Sequence, residues 1–408
     1  MLQLEGIVLN VIGVIMQKEI MDFYEEMLSL VYSLTSSHVS VHLWQVFQMM
    51  YTMFQKDGID YFTEMMPALH NYITVDTPAF LANPEHVQII YNMCKTVMSG
   101  DIGEDAECHA AKLLEVIILQ CPGQVDHVIP SFVELALQRL TREVLTSELR
   151  TMCLQVVIAA LYYNLPFLMD TLTKLQIPNV NGSLLAQFLK SWFHDVDCFV
   201  GLHDRKITVL GLCSLVNLIS NNRPNEVSEV VAQIMPALLL LFSGLKRAYA
   251  AKAKEDEDSS DEEEDDEEEE KDENELASDE DEVDEDGAQY LDKLEKSANE
   301  DDDSDNEYSD DGMEETALES YQTPLDEDNC PVDEYQIFKN VLESIQTSDP
   351  VWYQALMTPL TPEQTKELED VFKLAEQRRA AAESKRIEDA GGYVFQNTSV
   401  PQNFNFGT

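Results

Sequence analysis

The side chains that could do chemistry in this sequence are carboxylates, and they are concentrated in one segment. Residues 255–334 hold 42 Asp and Glu against three Lys, so they supply 39 of the 51 net negative charges. The densest part is a run of ten acidic residues: Asp261, Glu262, Glu263, Glu264, Asp265, Asp266, Glu267, Glu268, Glu269 and Glu270. Their repulsion and their lack of apolar surface cannot offset the backbone entropy that folding costs. The pattern predicts a long disordered acidic loop over residues 254–332.

A polyanion can attract metal ions or basic proteins, and this sequence favours basic proteins. The acidic run lacks the spaced ligands and the turn glycine of an EF-hand loop, so it would select poorly among cations. A flexible acidic chain can instead follow many Lys- and Arg-rich surfaces and steer their encounter. Direct binding of nucleic acid is disfavoured, because the sequence pI is about 4.2 and phosphates need basic side chains. A spacer that only keeps the chain soluble remains the alternative.

Serines within the acidic segment are candidate phosphorylation sites. Each of the four has an acidic residue three positions later, a pattern that acidophilic kinases favour: Ser259, Ser260, Ser278 and Ser304. Phosphates there would deepen an existing charge rather than switch a fold.

No constellation in the sequence predicts an enzyme, a metal site or a cofactor site. There is no Gly-rich phosphate loop, no His-Glu-x-x-His helix and no paired-cysteine spacing. Cys108 and His109 are neighbours, but adjacent helical positions point about 100° apart, which favours ordinary packing. Residues 203–206 (His-Asp-Arg-Lys) lie at a predicted helix start, where Asp204 would be the cap and the charges would face solvent. We therefore predict a protein that is not an enzyme.

The final residues carry a short aromatic motif. Phe404, Phe406 and Gly407 form Phe-x-Phe-Gly after a polar run that begins near Gln396. Two aromatic residues beside glycine in a polar tail are not expected in a core. The motif has the form that, in nucleoporins, inserts Phe rings between receptor helices. We interpret it as a docking element for a second helical receptor; an inert tail is the alternative.

The elements that must position these residues are helices. From residue 1 to about residue 253, runs with apolar residues at helical spacing alternate with short polar breaks. Two helices with their turns occupy about 40–45 residues, the period of HEAT repeats. This periodicity predicts that residues 1–253 form an all-α fold, a HEAT-repeat superhelical solenoid. An irregular all-α bundle is the alternative.

Cysteines and apolar runs bear on where the chain resides. The seven cysteines are odd in number and widely spaced, as in proteins of reducing compartments such as the cytosol and nucleus. No uninterrupted apolar run reaches the roughly twenty residues of a bilayer span, so we expect no membrane helix.

The sequence pattern predicts that residues 333–390 form further helices that pack on the last repeat. It predicts that residues 391–408 form a flexible tail. A stripe at helical spacing must bury itself: Ile337, Phe338, Val341, Leu342 and Ile345. Thr361 can cap the final helix, with Pro362 at its first position and Gln364 completing a capping box. The acidic segment would then be a loop inside the last repeat.

Several stretches of the sequence resemble the C-terminal portion of importin-beta superfamily receptors, most closely the importin seven and importin eight branch. They are spread over most of the chain: GEDAECHAAKLLE (103–115), TSELRTMCL (146–154), GLHDRKITVLGLC (201–213), GLKRAY (244–249), DEYQIFK (333–339), PVWYQAL (350–356) and FNFG (404–407). The resemblance implies a HEAT solenoid with a late acidic loop.

The resemblance also implies a function. Such receptors bind basic cargo, such as ribosomal proteins and histones, and cross the nuclear pore by contacts with FG nucleoporins. They release cargo when Ran-GTP binds. They shuttle between cytoplasm and nucleus. Family members are more than twice as long, so we expect a fragment or truncated product without the main Ran-binding repeats. The rival hypothesis is an acidic histone-type chaperone that shields basic proteins without carrying them.

Overall fold

The computed structural model describes residues 2–178, 180–265, 317–327 and 330–389. These ranges contain seventeen α-helices, a few short 3-10 turns and no β-strand. The helices are α1 Leu2–Lys18, α2 Tyr24–Thr35, α3 Val41–Lys56, α4 Phe62–Thr74, α5 Thr77–Ala82, α6 Pro84–Ser99, α7 Glu104–Gln120, α8 Ile129–Arg139, α9 Ser147–Tyr163, α10 Leu165–Lys174, α11 Leu184–His194, α12 Leu202–Val216, α13 Asn225–Glu229, α14 Val231–Asp265, α15 Glu334–Ser348, α16 Pro350–Met357 and α17 Pro362–Asp389.

Polar side chains start several of these helices, because each accepts a hydrogen bond from a backbone N–H that the helix itself leaves unpaired. Ser40 at α3 accepts from the backbone N–H of Leu43 at 3.3 Å. The predicted capping box of α17 is confirmed. Thr361 Oγ1 accepts from the Gln364 backbone N–H at 3.2 Å, and the Gln364 side chain accepts from the Thr361 backbone N–H at 3.1 Å.

The helices pack in two rows. One row consists of α2, α4, α7, α9, α12 and α15, and each helix packs on the next. In the second row, α3 packs on α6 and α6 on α8, while α6 and α8 also contact α7 and α9. Phe62, Glu104 and Ser147 begin α4, α7 and α9, so successive helices of the first row start 42 and 43 residues apart. That spacing is the HEAT period. The all-α solenoid is confirmed.

Helices in the middle of the first row are buried on every side. In α7, five apolar residues within two turns have no exposed surface: Leu113, Leu114, Val116, Ile117 and Ile118. A helix that is apolar all round must lie between neighbours, and α7 packs on α4, α6 and α9.

The C-terminal helices continue the first row. Helix α15 packs on α12, and the Phe338 ring lies 4.9 Å from the ring of Phe242. From α16, Trp352 Nε1 donates to the carbonyl oxygen of Val216 at 3.1 Å. The guanidinium of Arg223 lies 3.8 Å above the same indole. These contacts fix α15 and α16 on the end of α12.

Two compact units divide the chain: Met1–Lys246 with Glu315–Thr408, and Arg247–Glu314. Both rows belong to the first unit. The second is described only to Asp265, as the last turns of α14. The charge pattern predicts an acidic loop from residue 254, but the α14 backbone stays helical for twelve residues more. Lys and Glu make up six of the twelve residues 254–265, and their high helix propensity favours this extension despite the charge.

Helix α14 bears on the membrane expectation. Its Val231–Ala253 stretch is long and apolar enough, by length and composition alone, to span a bilayer. Uninterrupted runs do not reveal it because isolated polar residues divide it. Within the protein, 56% of its most apolar window is buried, and Phe242 lies against Tyr335 and Phe338 of α15. Core helices share the same length and composition.

A second difference concerns the far end of the predicted acidic loop. Residues 317–327 are packed on the helical rows, with Leu318, Thr323 and Leu325 almost fully buried. These residues escape the repulsion of the run because residues 320–325 (SYQTPL) contain no acidic side chain. The disorder predicted for residues 266–316 and the tail predicted for 391–408 lie outside the described residues.

Candidate functional site

Residues 317–327, hereafter the strap, cross helices α4 and α7. His70 Nε2 lies 2.7 Å from the carbonyl oxygen of Gln322. Burial lowers the pKa of His70, so the neutral ring donates its Nε2–H to this carbonyl. The Tyr321 ring centroid lies 5.6 Å from that of His70 and 5.9 Å from that of His109, edge-on to both. The strap thus sits in an aromatic slot between two helices.

A tight turn in the strap orients Asp326. The backbone N–H and the hydroxyl of Thr323 both donate to Asp326 Oδ2, at 2.8 and 2.9 Å. The other oxygen, Oδ1, is thereby aimed at helix α12, where it lies 2.8 Å from His203 Nδ1.

His203 lies between two carboxylates. Its Nε2 is 2.8 Å from Glu115 Oε1 and its Nδ1 is 2.8 Å from Asp326 Oδ1. Both ring nitrogens can donate only when the imidazole is protonated. Burial opposes that charge, but Asp326 and Glu115 outweigh burial and the repulsion from Lys112 and raise the pKa of His203 to about 10. The ring is a buried cation.

Two further ionisable groups, Lys112 and Asp204, complete a charge cluster, defined as Lys112, Glu115, His203, Asp204 and Asp326. Lys112 Nζ lies 2.9 Å from Glu115 Oε2, and both side chains are at most 2% exposed. Burial opposes ionisation of Glu115, yet Lys112 and His203 lower its pKa to about 2. Burial raises the pKa of Asp204 to about 6 against the attraction of Lys112 and His203. Below about pH 6, where Asp204 is protonated, the two cations Lys112 and His203 face the two carboxylates Glu115 and Asp326; at higher pH Asp204 adds a third negative charge.

Two contacts hold the strap backbone to the start of α12. Lys206 Nζ donates to the carbonyl oxygen of Leu325. The backbone N–H of His203 donates to Glu319 Oε1 at 3.0 Å. Gly201, which precedes α12, has a φ of +84°, and a Cβ there would lie 2.0 Å from Glu319 Oε1. The backbone conformation therefore favours glycine, and any larger residue would also displace the Glu319 carboxylate.

This arrangement can fasten a segment but does not expose a reactive group. The charges of the cluster face partners of opposite sign, and His203 and Glu115 are closed off from solvent. Among the residues that the structure describes, no group of three or more His, Cys, Asp or Glu could hold a metal ion.

The prediction for residues 203–206 is wrong. Helix α12 begins at Leu202, its N-cap position is Gly201, and the carboxylate that accepts from its first turn belongs to Glu319 of the strap rather than to Asp204. Asp204 is 3% exposed rather than solvent-facing, because α12 lies between α9 and α15 and under the strap. Arg205 does not face solvent either: its guanidinium donates to the carbonyl oxygens of Phe199 and Gly244.

Sequence reasoning also missed Lys112 and Glu115. Both lie in α7, in a stretch that is otherwise Ala, Leu, Ile and Val. Opposite charges three residues apart in a helix that is apolar all round indicate a buried pair. The sequence therefore contained a signal for the Lys112–Glu115 pair, but it contained none for the contact between His203 and Asp326 of the strap.

Most sequence-predicted site residues lie beyond the described ranges. Residues 261–265 of the acidic run, with Ser259 and Ser260, are in the last turns of α14. The others fall outside the described residues: Asp266, Glu267, Glu268, Glu269, Glu270, Ser278, Ser304, Phe404, Phe406 and Gly407. Cys108 is buried in α7, and His109 Nδ1 lies 2.9 Å from the carbonyl oxygen of Asp105.

Comparison with known proteins identifies relatives over the whole chain. The profile of the importin-11-like family, described as TPR repeats, matches residues 3–288. Importin-8 of Homo sapiens is 49% identical over 100% of this chain and 39% of its own length. Importin-8 of Danio rerio is 51% identical over 93% of this chain and 37% of its own length. The importin beta-like SAD2 homolog of Arabidopsis thaliana is 29% identical over 95% of this chain and 38% of its own length.

The chain therefore spans less than two-fifths of the length of these relatives. No solved structure matches it significantly. The family match covers well over half of the chain, and it agrees with the two packed rows of helices that recur at the HEAT period. This chain belongs to the importin-11-like family of the importin-beta superfamily and is most similar to its importin-7 and importin-8 branch.

Proposed function

We propose that this chain is the part of a nuclear import receptor that recruits basic polypeptides, such as histones and ribosomal proteins, through its acidic segment. The observation that carries the proposal is the charge distribution: residues 255–334 hold 39 of the 51 net negative charges. The strap supports it, because it anchors the far end of this segment on the helical rows. Relatives named importin support the transport role.

The transport cycle is carried over from the family. Contact with FG nucleoporins, release by Ran-GTP and shuttling between cytoplasm and nucleus are proposals for the longer proteins to which this chain is similar. Within this chain, we assign cargo contact to the acidic segment and structural support to the rows of α-helices.

Neutralising the acidic segment tests the proposal. Replacing every Asp by Asn and every Glu by Gln within residues 255–316 keeps the length and the size of the side chains. Affinity for a purified histone is then measured at several salt concentrations. Because exposed charges are screened beyond about 10 Å at 0.1 M salt, the unmodified chain should bind tightly only at low salt. The neutral variant should bind weakly with little salt dependence. If the two proteins bind the histone with equal affinity and equal salt dependence, the helices rather than the acidic segment recognise the cargo.

Binding to FG repeats separates a carrier from a chaperone. Both would use the polyanion, so histone affinity cannot distinguish them. A carrier should bind an immobilised FG-repeat fragment through its helices, and the neutral variant should bind it equally well. If neither protein binds the fragment, the histone-type chaperone becomes the better assignment for this part of the receptor.

We propose that Phe404 and Phe406 dock a second receptor of the same superfamily. Burial of two Phe side chains contributes roughly 3–6 kcal/mol before the cost of ordering the tail, enough for reversible docking. Changing both Phe to Ser should abolish capture of such a receptor and leave histone binding unchanged. Asn403→Ser with Asn405→Ser is the matched control. Capture that survives the Phe changes would make the tail inert.

A further inference from the structure

The strap is bound in the way that a peptide ligand is bound. Two side chains of the helical rows donate to its backbone carbonyls: His70 to Gln322 and Lys206 to Leu325. Contacts to main-chain oxygens hold an extended segment whatever its side chains are, and pockets for particular side chains then supply selectivity.

Two side-chain positions of the strap meet selective sites. Tyr321 enters the aromatic slot beside His70 and His109. Five residues later, Asp326 pairs with the protonated ring of His203. The slot prefers an aromatic ring by its edge-on geometry. The buried imidazolium selects a carboxylate at Nδ1, since its other carboxylate, Glu115, is shared with Lys112 and a neutral group would leave the two cations with one counter-ion.

The helices that build this groove are not consecutive. His70 belongs to α4, His109 to α7, and His203 and Lys206 to α12. In a solenoid each repeat packs only on its neighbours, so α4 and α12 are joined across the row by the strap rather than by direct packing. The groove is therefore a composite of three repeats and is filled by a segment distant in sequence.

We propose that the groove formed by His70, His109, His203 and Lys206 is a peptide-binding site. Its ligand class is an acidic segment with an aromatic residue five positions before an aspartate that a tight turn presents, and the strap occupies the site in cis. A partner with such a segment competes with the strap and gains access when the strap is drawn away. Two of its residues, His203 and Lys206, are cations in a chain of strongly negative charge, which favours acidic ligands over the basic cargo proposed above.

The test uses the full chain and a labelled synthetic peptide with the sequence of residues 317–327. The cis strap is weakened by Tyr321→Ser combined with Asp326→Asn. Fluorescence anisotropy should show that the peptide binds this variant at least about 10-fold more tightly than it binds the unmodified chain, where the strap holds the groove at high effective concentration. Glu327→Gln changes the same charge at an exposed neighbouring position and should behave as the unmodified chain.

A second experiment changes the peptide instead of the chain. A peptide with Asp326→Asn should bind the weakened chain at least about 10-fold less tightly, because hydrogen bonds to charged groups are worth more than neutral ones. Tyr321→Ser alone leaves the charge cluster intact, so it keeps the test valid if the double variant does not fold; it should bind the peptide with intermediate affinity. Equal peptide binding by the weakened and unmodified chains, or equal binding of the Asp and Asn peptides, would overturn the proposal.

Discussion

Replacing Asp204 by Asn should stabilise the fold near neutral pH. The pKa of Asp204 is raised from 3.8 to about 6 by burial, so the folded state resists its ionisation. A folded pKa above the unfolded value means that the cost is absent below the unfolded pKa and complete above the folded pKa. Two pKa units correspond to about 3 kcal/mol. An asparagine at this position would be neutral at every pH and would not incur this cost.

Urea denaturation followed by circular dichroism measures the effect. The midpoint should rise at pH 8 by the equivalent of about 3 kcal/mol and at pH 5 by about half as much. Asp101→Asn, at an exposed position, is the control and should change neither midpoint. A variant that is less stable than the unmodified chain at pH 8, or a gain that does not depend on pH, would refute the electrostatic reasoning.

Three further predictions concern the same contacts and the cap of α17. His203→Gln should destabilise the fold by about 3–5 kcal/mol at pH 6. The pKa of His203 is raised to about 10, so the stability that its ion pairs contribute is lost as pH rises through 10, and the difference between variant and unmodified chain should shrink. Urea denaturation midpoints measured across this pH range check this. Gly201→Ala should cost about 1–2 kcal/mol and speed hydrogen exchange in the strap, whereas Gly6→Ala in α1, with open space around it, should be neutral or stabilising. Thr361→Ala should remove about 1 kcal/mol of local stability, seen as faster exchange in the first turn of α17 alone.

Local patterns in the sequence were enough for the helices but not for the charge cluster. Helical spacing and the capping box at Thr361 depend on residues within about four positions, and the structure places those helices as the spacing predicts. The partner of His203 is Asp326, 123 residues away, and no local pattern reports such a pair. For the same reason Asp204 resembles a cap in the sequence, because charges at a helix start are normally exposed.

The average composition of the acidic segment is a poor guide to its far end. Its overall charge predicts disorder through residue 332, but residues 320–325 are uncharged, Leu318 and Leu325 are buried, and a tight turn joins Thr323 to Asp326. A short window rather than a segment average would have separated the strap from the run. The helical extension of α14 to Asp265 likewise reflects residue propensity, which charge alone does not report.

The charge cluster determines where the strap binds more than how strongly the protein folds. Buried ion pairs seldom add net stability over apolar residues of similar size, because desolvation offsets the attraction. An extended segment held only through Leu318 and Leu325 could shift along the groove at small cost. Asp326 is fixed by Thr323 and paired with His203 Nδ1. A shift that placed Leu325 there would leave Nδ1 of the buried imidazolium without its acceptor, at a cost of several kcal/mol, and a shift that placed Glu327 there would break the turn in which Thr323 holds the carboxylate. The pair therefore selects one register, and with it the point from which the acidic segment leaves the helical rows.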